Sequence, residues 1–265
     1  MSPLRLHERL NNDPMLLACC QFEPVWGDRE HNMRYVDDML ENKEEISLLV
    51  EDAETGPSVK WAKKEAIRLQ CFVIVGYPQV VQESENSLYY NSLCCVNSRG
   101  EVVKTYQKSF LYEADERWAE EGPGFVSVVI PGLGKVGFGI CMDINPYQFK
   151  ADFRAYEFAN YHVEQRTDII LCSMAWLQSE SSAEISDTDR VLETIRYWAA
   201  RMNPLKNSNS SSKHTYFVAC NRVGTERGVT FAGGSCVLDF SDTAIRLKGH
   251  MLSRECGIMI VEVSR

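Results

Sequence analysis

The sequence predicts an α/β fold, a mixed sheet layered with helices, and three observations lead there. Nine short runs rich in β-branched and aromatic residues are bounded by Gly, Pro, Asn or Asp, as strands are. Four other runs repeat apolar residues at helical spacing. The two kinds alternate early and late in the chain with hairpins between, the order that builds a helix-covered mixed sheet.

The strands expected in order are 15–22 (MLLACCQF), 71–81 (CFVIVGYPQVV), 88–97, 126–132, 135–143 (KVGFGICMD), 168–176 (DIILCSMAW), 215–224, 233–240 and 257–264. Runs as apolar as CFVIVGY and DIILC are those of strands covered on both faces. The helices fall at 29–45, 58–70 and 189–202, each with one apolar face, and a weaker one at 155–167. Residues 204–214 (PLKNSNSSSKH) read as a polar loop. No repeat and no domain boundary is visible, so residues 1–265 read as a single domain.

Composition narrows the function. The chain has 265 residues, 45% of them hydrophobic and 25% charged, enough for a full core in one large domain. A net charge of −9 with no basic stripe argues against nucleic acid as a partner. No apolar run reaches the roughly 18 residues of a membrane helix, and the first residues lack an apolar secretory core. Cys19, Cys20, Cys71, Cys94, Cys95, Cys172, Cys220 and Cys236 all sit in apolar, strand-like runs and are expected as buried thiols in a reducing compartment. No C-x-x-C pair or Cys/His cluster has zinc spacing, so no metal is expected.

Cys141 stands apart. It ends the run KVGFGIC and runs into Met142-Asp143-Ile144-Asn145-Pro146, a turn. A strand that stops in a sharp turn presents its last side chain at the sheet's edge, where backbone N–H groups stabilise an oxyanion. A thiol nucleophile needs a partner that forms and holds the thiolate. Histidine is the usual one, but His7, His31, His162, His214 and His250 lie in no motif, and His162 and His214 are expected at the surface. A Cys–His hydrolase remains the alternative. Residues 102–125 (VVKTYQKSFLYEADERWAEEGPGF) place Lys108 after a strand, then Glu116 and Trp118, directly before the hairpin that carries Cys141. Taken alone this is a solvated charged loop; its connectivity brings Lys108 toward Cys141.

Read together, these residues resemble the nitrilase, or carbon–nitrogen hydrolase, superfamily, and within it the fungal protein N-terminal amidases. Gln21-Phe22 with Pro24 and Gly27-Asp28, FVIVGYP (72–78), YYNS (89–92), KTYQKSFLYEADERW (104–118), GICMDINPYQF (139–149), SMAWL (173–177) and residues 217–238 carry the likeness. It implies an αββα sandwich of two mixed sheets covered by helices, in a family whose members often dimerise, with no cofactor. It implies deamidation of the side-chain amide of N-terminal Asn or Gln in the N-degron pathway of the cytoplasm or nucleus, with protein and peptide N-termini as partners. It further implies Cys141 as nucleophile, Lys108 as stabiliser of oxyanion and thiolate, and Glu116 as the acid that orients Lys108. Glu121, nearby, reads as structural. Trp176 and Asp143 are the substrate-binding candidates, Asp143 for the α-amine, although it would also hydrogen-bond the turn.

The chain departs from the family where the triad's glutamate belongs. That residue sits at the end of a second core strand after the first helix, and no Pro-Glu and no hydrophobic strand stands between Leu40 and Thr55. A deletion of about twenty residues near 40–46 would remove one central strand and its base, and losing a triad member costs orders of magnitude in rate. Glu23, Glu41, Glu44, Glu45, Glu51, Asp52 and Glu54 are the acids available as a substitute. Three readings follow: an incomplete sequence of a working amidase, a pseudoenzyme that binds N-terminal residues without hydrolysis, or an enzyme with an unexpected base.

Overall fold

Strand positions in the computed structural model follow the apolar runs of the sequence. It describes residues 14–25, 28, 30–32, 51–83, 87–179, 185–208, 214–226, 228–241 and 244–264. The elements are β1 (Met15–Gln21), α1 (Pro57–Leu69), β2 (Val73–Gln82), β3 (Ser87–Val96), β4 (Val102–Gln107), β5 (Val126–Ile130) and β6 (Gly134–Ile140). There follow α2 (Glu157–Glu164), β7 (Ile169–Met174), α3 (Asp187–Arg201), α4 (Pro204–Ser208), β8 (Thr215–Asn221), β9 (Thr225–Glu226), β10 (Val229–Thr230), β11 (Cys236–Phe240), β12 (Ile245–His250) and β13 (Gly257–Val263).

The nine expected strands are β1, β2, β3, β5, β6, β7, β8, β11 and β13, each within a few residues of its expected bounds. β12 escapes the pattern because its residues (IRLKGH) are mostly polar and it closes one edge of its sheet. The expected loop at 204–214 begins instead with one helical turn, α4, opened by Pro204 at a position where a missing N–H costs nothing. The helix expected at 155–167 is shorter, and the one at 29–45 lies outside the described residues from 33 onward.

Two compact units share the chain: residues 1–23, 127–137 and 159–265 in the first, residues 24–126 and 138–158 in the second. In the first, β1 pairs antiparallel with β13, and a second sheet has the order β12-β11-β8-β7-β6-β5. β7 and β8 run parallel, and β8, β11 and β12 are antiparallel neighbours. Met15, Cys19, Val261 and Val263 pack on Ile169, Tyr216, Val218 and Val237, so the period-2 alternation of both sheets points one face of each into a shared core. Gly137 of β6 passes so close to the ring of His162 that any Cβ would lie inside it. His162 is fully buried, not at the surface as expected, and burial pushes its imidazole down to about 3, so it stays neutral. Its Nδ1 lies 3.0 Å from the Thr167 hydroxyl.

In the second unit β2, β3 and β4 form an antiparallel meander. α1 lays Val59, Ala62 and Ala66 on Tyr77, Cys94 and Val96. Its first turn is held from outside the helix. The buried Glu51 accepts hydrogen bonds from the Ser58 amide (2.6 Å) and the Ser58 hydroxyl (2.6 Å), satisfying donors that a helix start leaves open. Glu51 also bridges Gln79 of β2 in parallel. Cys71, expected in a strand, is exposed in the turn before β2.

Candidate active site

Everything at the Cys141 corner lies within the second unit. β6 runs extended to Ile140, and Cys141 then turns into the left-handed region at φ 41° before a short 3₁₀ turn, Cys141–Ile144. A side chain other than glycine rarely adopts that conformation, at a cost of order 1–3 kcal/mol, so something must hold it. Asp143 does. Its fully buried carboxylate accepts from the Ile140 amide (2.7 Å) and the Tyr106 hydroxyl (2.9 Å) on one oxygen. The other oxygen accepts from the amides of Ser109 (3.1 Å) and Phe110 (2.8 Å). One side chain thus clasps the residue before the cysteine to the two residues after Lys108. Burial pushes the Asp143 carboxyl up to about 6, against the pull of the Phe110 and Ile140 amides and the Lys108 charge.

Lys108 follows β4 and is 3% exposed. Its Nζ donates to Asp115 at 2.6 Å. Asp115 also accepts from the Tyr112 amide (3.0 Å) and from the Asn91 side-chain amide of β3 (3.0 Å). The ammonium is therefore fixed by a carboxylate that is itself fixed. Gly122 donates to the Lys108 carbonyl (2.8 Å) and passes so close to Gln107 that a Cβ would clash with its backbone. Outside this corner Phe110 stacks edge-on against Phe125 and Tyr147, at 4.9 and 5.0 Å between centroids. Cys141 itself is half-buried.

Two expectations need correction. The acid on Lys108 is Asp115, not Glu116, which is exposed one residue further along the 3₁₀ turn Asp115–Arg117. Asp143 is sealed from solvent with both oxygens engaged, so it braces the turn and offers nothing to a substrate amine. Sequence reasoning missed Asp115, because nothing in the spacing separates it from the adjacent Glu116. Trp176 belongs to the first unit, is half-buried, and meets Tyr197 and Trp198 at 5.5 and 5.8 Å. Its amide donates to Asn221 (2.9 Å), and its carbonyl accepts from Ala232 (2.8 Å).

Of the substitute acids, Glu51 is spent on Ser58, and Asp52 is held below the usual carboxylate range by the Glu54 amide and the Thr55 hydroxyl and amide. Glu23 accepts from the Thr225 amide at 3.3 Å. Glu41, Glu44 and Glu45 lie outside the described residues, as does the stretch where the missing strand was expected. For the Cys–His alternative, His162 is neutral on Thr167 and His214 pairs with Asp239 at 2.6 Å. Among the described residues no group of three or more His, Cys, Asp or Glu is placed to hold a metal, and no helix is long and apolar enough to cross a membrane.

Comparison with known proteins bears on this geometry. The carbon-nitrogen hydrolase family model matches residues 22–263. The chain belongs to the carbon-nitrogen hydrolase family. It is similar to the protein N-terminal amidase of Schizosaccharomyces pombe, 30% identical over 95% of this chain and 100% of that one. A second relative, the protein N-terminal amidase of Saccharomyces cerevisiae, is 34% identical over 52% of this chain and 34% of its own. The fold matches the crystal structure of an N-terminal amidase with an Asn-Glu-Ala peptide, with a TM-score of 0.78 and 18% identity over 96% of this chain and 98% of that one. This carbon-nitrogen hydrolase therefore carries its Cys141 corner and its Lys108–Asp115 pair on the α/β scaffold that the sequence led one to expect.

Proposed function

We propose that this carbon-nitrogen hydrolase deaminates the side-chain amide of N-terminal Asn or Gln of proteins and peptides, with Cys141 as nucleophile. The observation that carries it is the Asp143 clasp, which holds a cysteine on a left-handed corner and the Lys108 loop on one buried carboxylate. The names of its relatives supply the substrate: protein N-terminal amidases of two yeasts, and a solved relative with an Asn-Glu-Ala peptide.

The Cys141 thiolate attacks the amide carbon, and the Lys108 ammonium donates to the oxygen that gains charge. Ammonia leaves, a thioester remains, and water releases the carboxylate product. Asp115 aims Lys108. A base must take the thiol proton, hand it to the ammonia and then activate water. We place that base on a strand that the 265-residue sequence lacks between Leu40 and Thr55. A chain without such a base would act as a module that holds an N-terminal residue without converting it, which is the second reading.

The experiment incubates the protein with peptides beginning with Asn or Gln and follows their mass. The proposal expects a gain of about one mass unit, slow in the chain as it stands and abolished by Cys141→Ala. Turnover that survives Cys141→Ala overturns it; peptide retained unchanged by both proteins supports the binding module. We propose the cytoplasm or nucleus as its place of action, in the sorting of protein N-termini for degradation.

A further inference from the structure

Outside the active-site corner, β1 and β8 of the first unit carry Cys19, Cys20 and Cys220, and neighbouring β11 carries Cys236. Strand alternation sorts them. On β1 the buried positions are Met15, Cys19 and Gln21, so Cys19 points into the core and Cys20 points away from it. On β8, Tyr216 and Val218 line that same core and Cys220 packs against it. Cys236 sits opposite Ala219, on the other face, while its neighbour Val237, opposite Val218, faces the core. Of the four thiols only Cys19 and Cys220 share a face.

They also meet. The Cys19 thiol lies 3.9 Å from the Ala219 carbonyl, and the Cys220 thiol donates to the Cys20 carbonyl at 3.3 Å. Each sulfur thus reaches the backbone beside the other cysteine, so the two thiols are neighbours between β1 and β8. Cys19 is 1% exposed, whereas Cys220 is only partly buried. We infer that Cys19 and Cys220 form an oxidisable pair at which a peroxide closes a disulfide between β1 and β8.

The order of events follows from the surroundings. Cys220 is the more exposed of the two and Cys19 is sealed in the core, so a peroxide reaches the sulfur of Cys220 first. The Cys220 thiolate attacks one peroxide oxygen; the O–O bond breaks, hydroxide leaves and a sulfenic acid is formed. The Cys19 sulfur then attacks the Cys220 sulfur, the S–O bond breaks, and the hydroxyl leaves with the Cys19 proton as water. Two thiols are oxidised by two electrons, and one hydrogen peroxide is reduced to two waters. The closed bond ties the first strand of the unit to β8, whose last residue, Asn221, holds the Trp176 amide.

The test treats the folded protein with hydrogen peroxide, blocks remaining thiols, digests with trypsin without reduction and reads masses. Cys19 and Cys20 fall in the peptide of residues 10–29, and Cys220 in that of residues 214–222. The expected product is these two peptides joined, about two mass units lighter than their sum, as the major fate of Cys220. Fragmentation places the bond on Cys19; Cys20→Ser keeps it and Cys19→Ser loses it, with circular dichroism confirming that each variant folds. Fragmentation of the wild-type protein decides the matter even if a variant does not fold. A Cys220 that proceeds to sulfinic acid while Cys19 stays alkylatable overturns the inference, as does a bond located on Cys20. The readout is independent of amidase turnover, so failure of one leaves the other standing.

Discussion

Replacing Asp143 by asparagine tests the brace at its most unusual point, a carboxylate with no exposure. An unfolded Asp titrates near 3.9, whereas burial pushes Asp143 up to about 6. Between those values the folded state holds more protons than the unfolded one, so raising the pH through that window removes stability. A shift of about 2 units corresponds to about 3 kcal/mol over the whole window, of which about 2 kcal/mol falls between pH 4.5 and pH 7.5. The amide introduced by D143N does not titrate. Its NH₂ faces either the Ile140 amide and Tyr106 hydroxyl, which can turn to accept from it, or the Ser109 and Phe110 amides, so one or two buried amides lose their acceptor, at about 1–3 kcal/mol each. Urea unfolding of both proteins from pH 4.5 to 7.5 is the assay. The wild-type protein is expected to exceed D143N most at pH 4.5, with the gap narrowing by about 2 kcal/mol toward pH 7.5. A gap that is flat or widens with pH refutes the reasoning, because it would place the folded pKa at or below the unfolded one.

Asp115→Asn strips a buried ammonium of its counter-charge and is expected to cost about 3 kcal/mol in urea unfolding, whereas Glu116→Gln, on an exposed side chain, stays within about 0.5 kcal/mol; equal costs would restore Glu116 as the partner of Lys108. Gly137→Ala drives a methyl into the His162 ring and is expected to cost about 3 kcal/mol, lowering Tm by roughly 10 °C in a scanning experiment. The His162 ring protons are expected to show no titration by NMR between pH 5 and 8, since burial holds the imidazole neutral down to about 3. Glu51→Ala unseats the first turn of α1 and is expected to cost about 2 kcal/mol, read by urea unfolding.

The central strands β6, β7, β8 and β11 were legible because they are buried on both faces, which leaves continuous apolar runs such as IILCSM and GKVGFGI. β12 was not, because an edge strand needs only one buried face and this one keeps Leu247 part-exposed. The cysteine corner and its lysine were legible as motifs. The roles of their neighbours were not, since Asp143 finds its partners at Tyr106, Ser109 and Phe110, more than thirty residues back, where no local spacing records them. Asp115 and Glu116 are adjacent acids of one turn; only the fold decides which faces Lys108. His162 looks like a polar residue on a short helix, and what buries it is the missing side chain of Gly137 on a neighbouring strand.

The central claim is that Cys141 is the nucleophile of an amidase acting on N-terminal Asn and Gln. The most direct measurement is the mass of an Asn-initiated peptide incubated with the wild-type protein and with Cys141→Ala in parallel. The account predicts an Asp-initiated product, heavier by about one mass unit, with the wild-type protein and none with the variant. Equal conversion by both would contradict it.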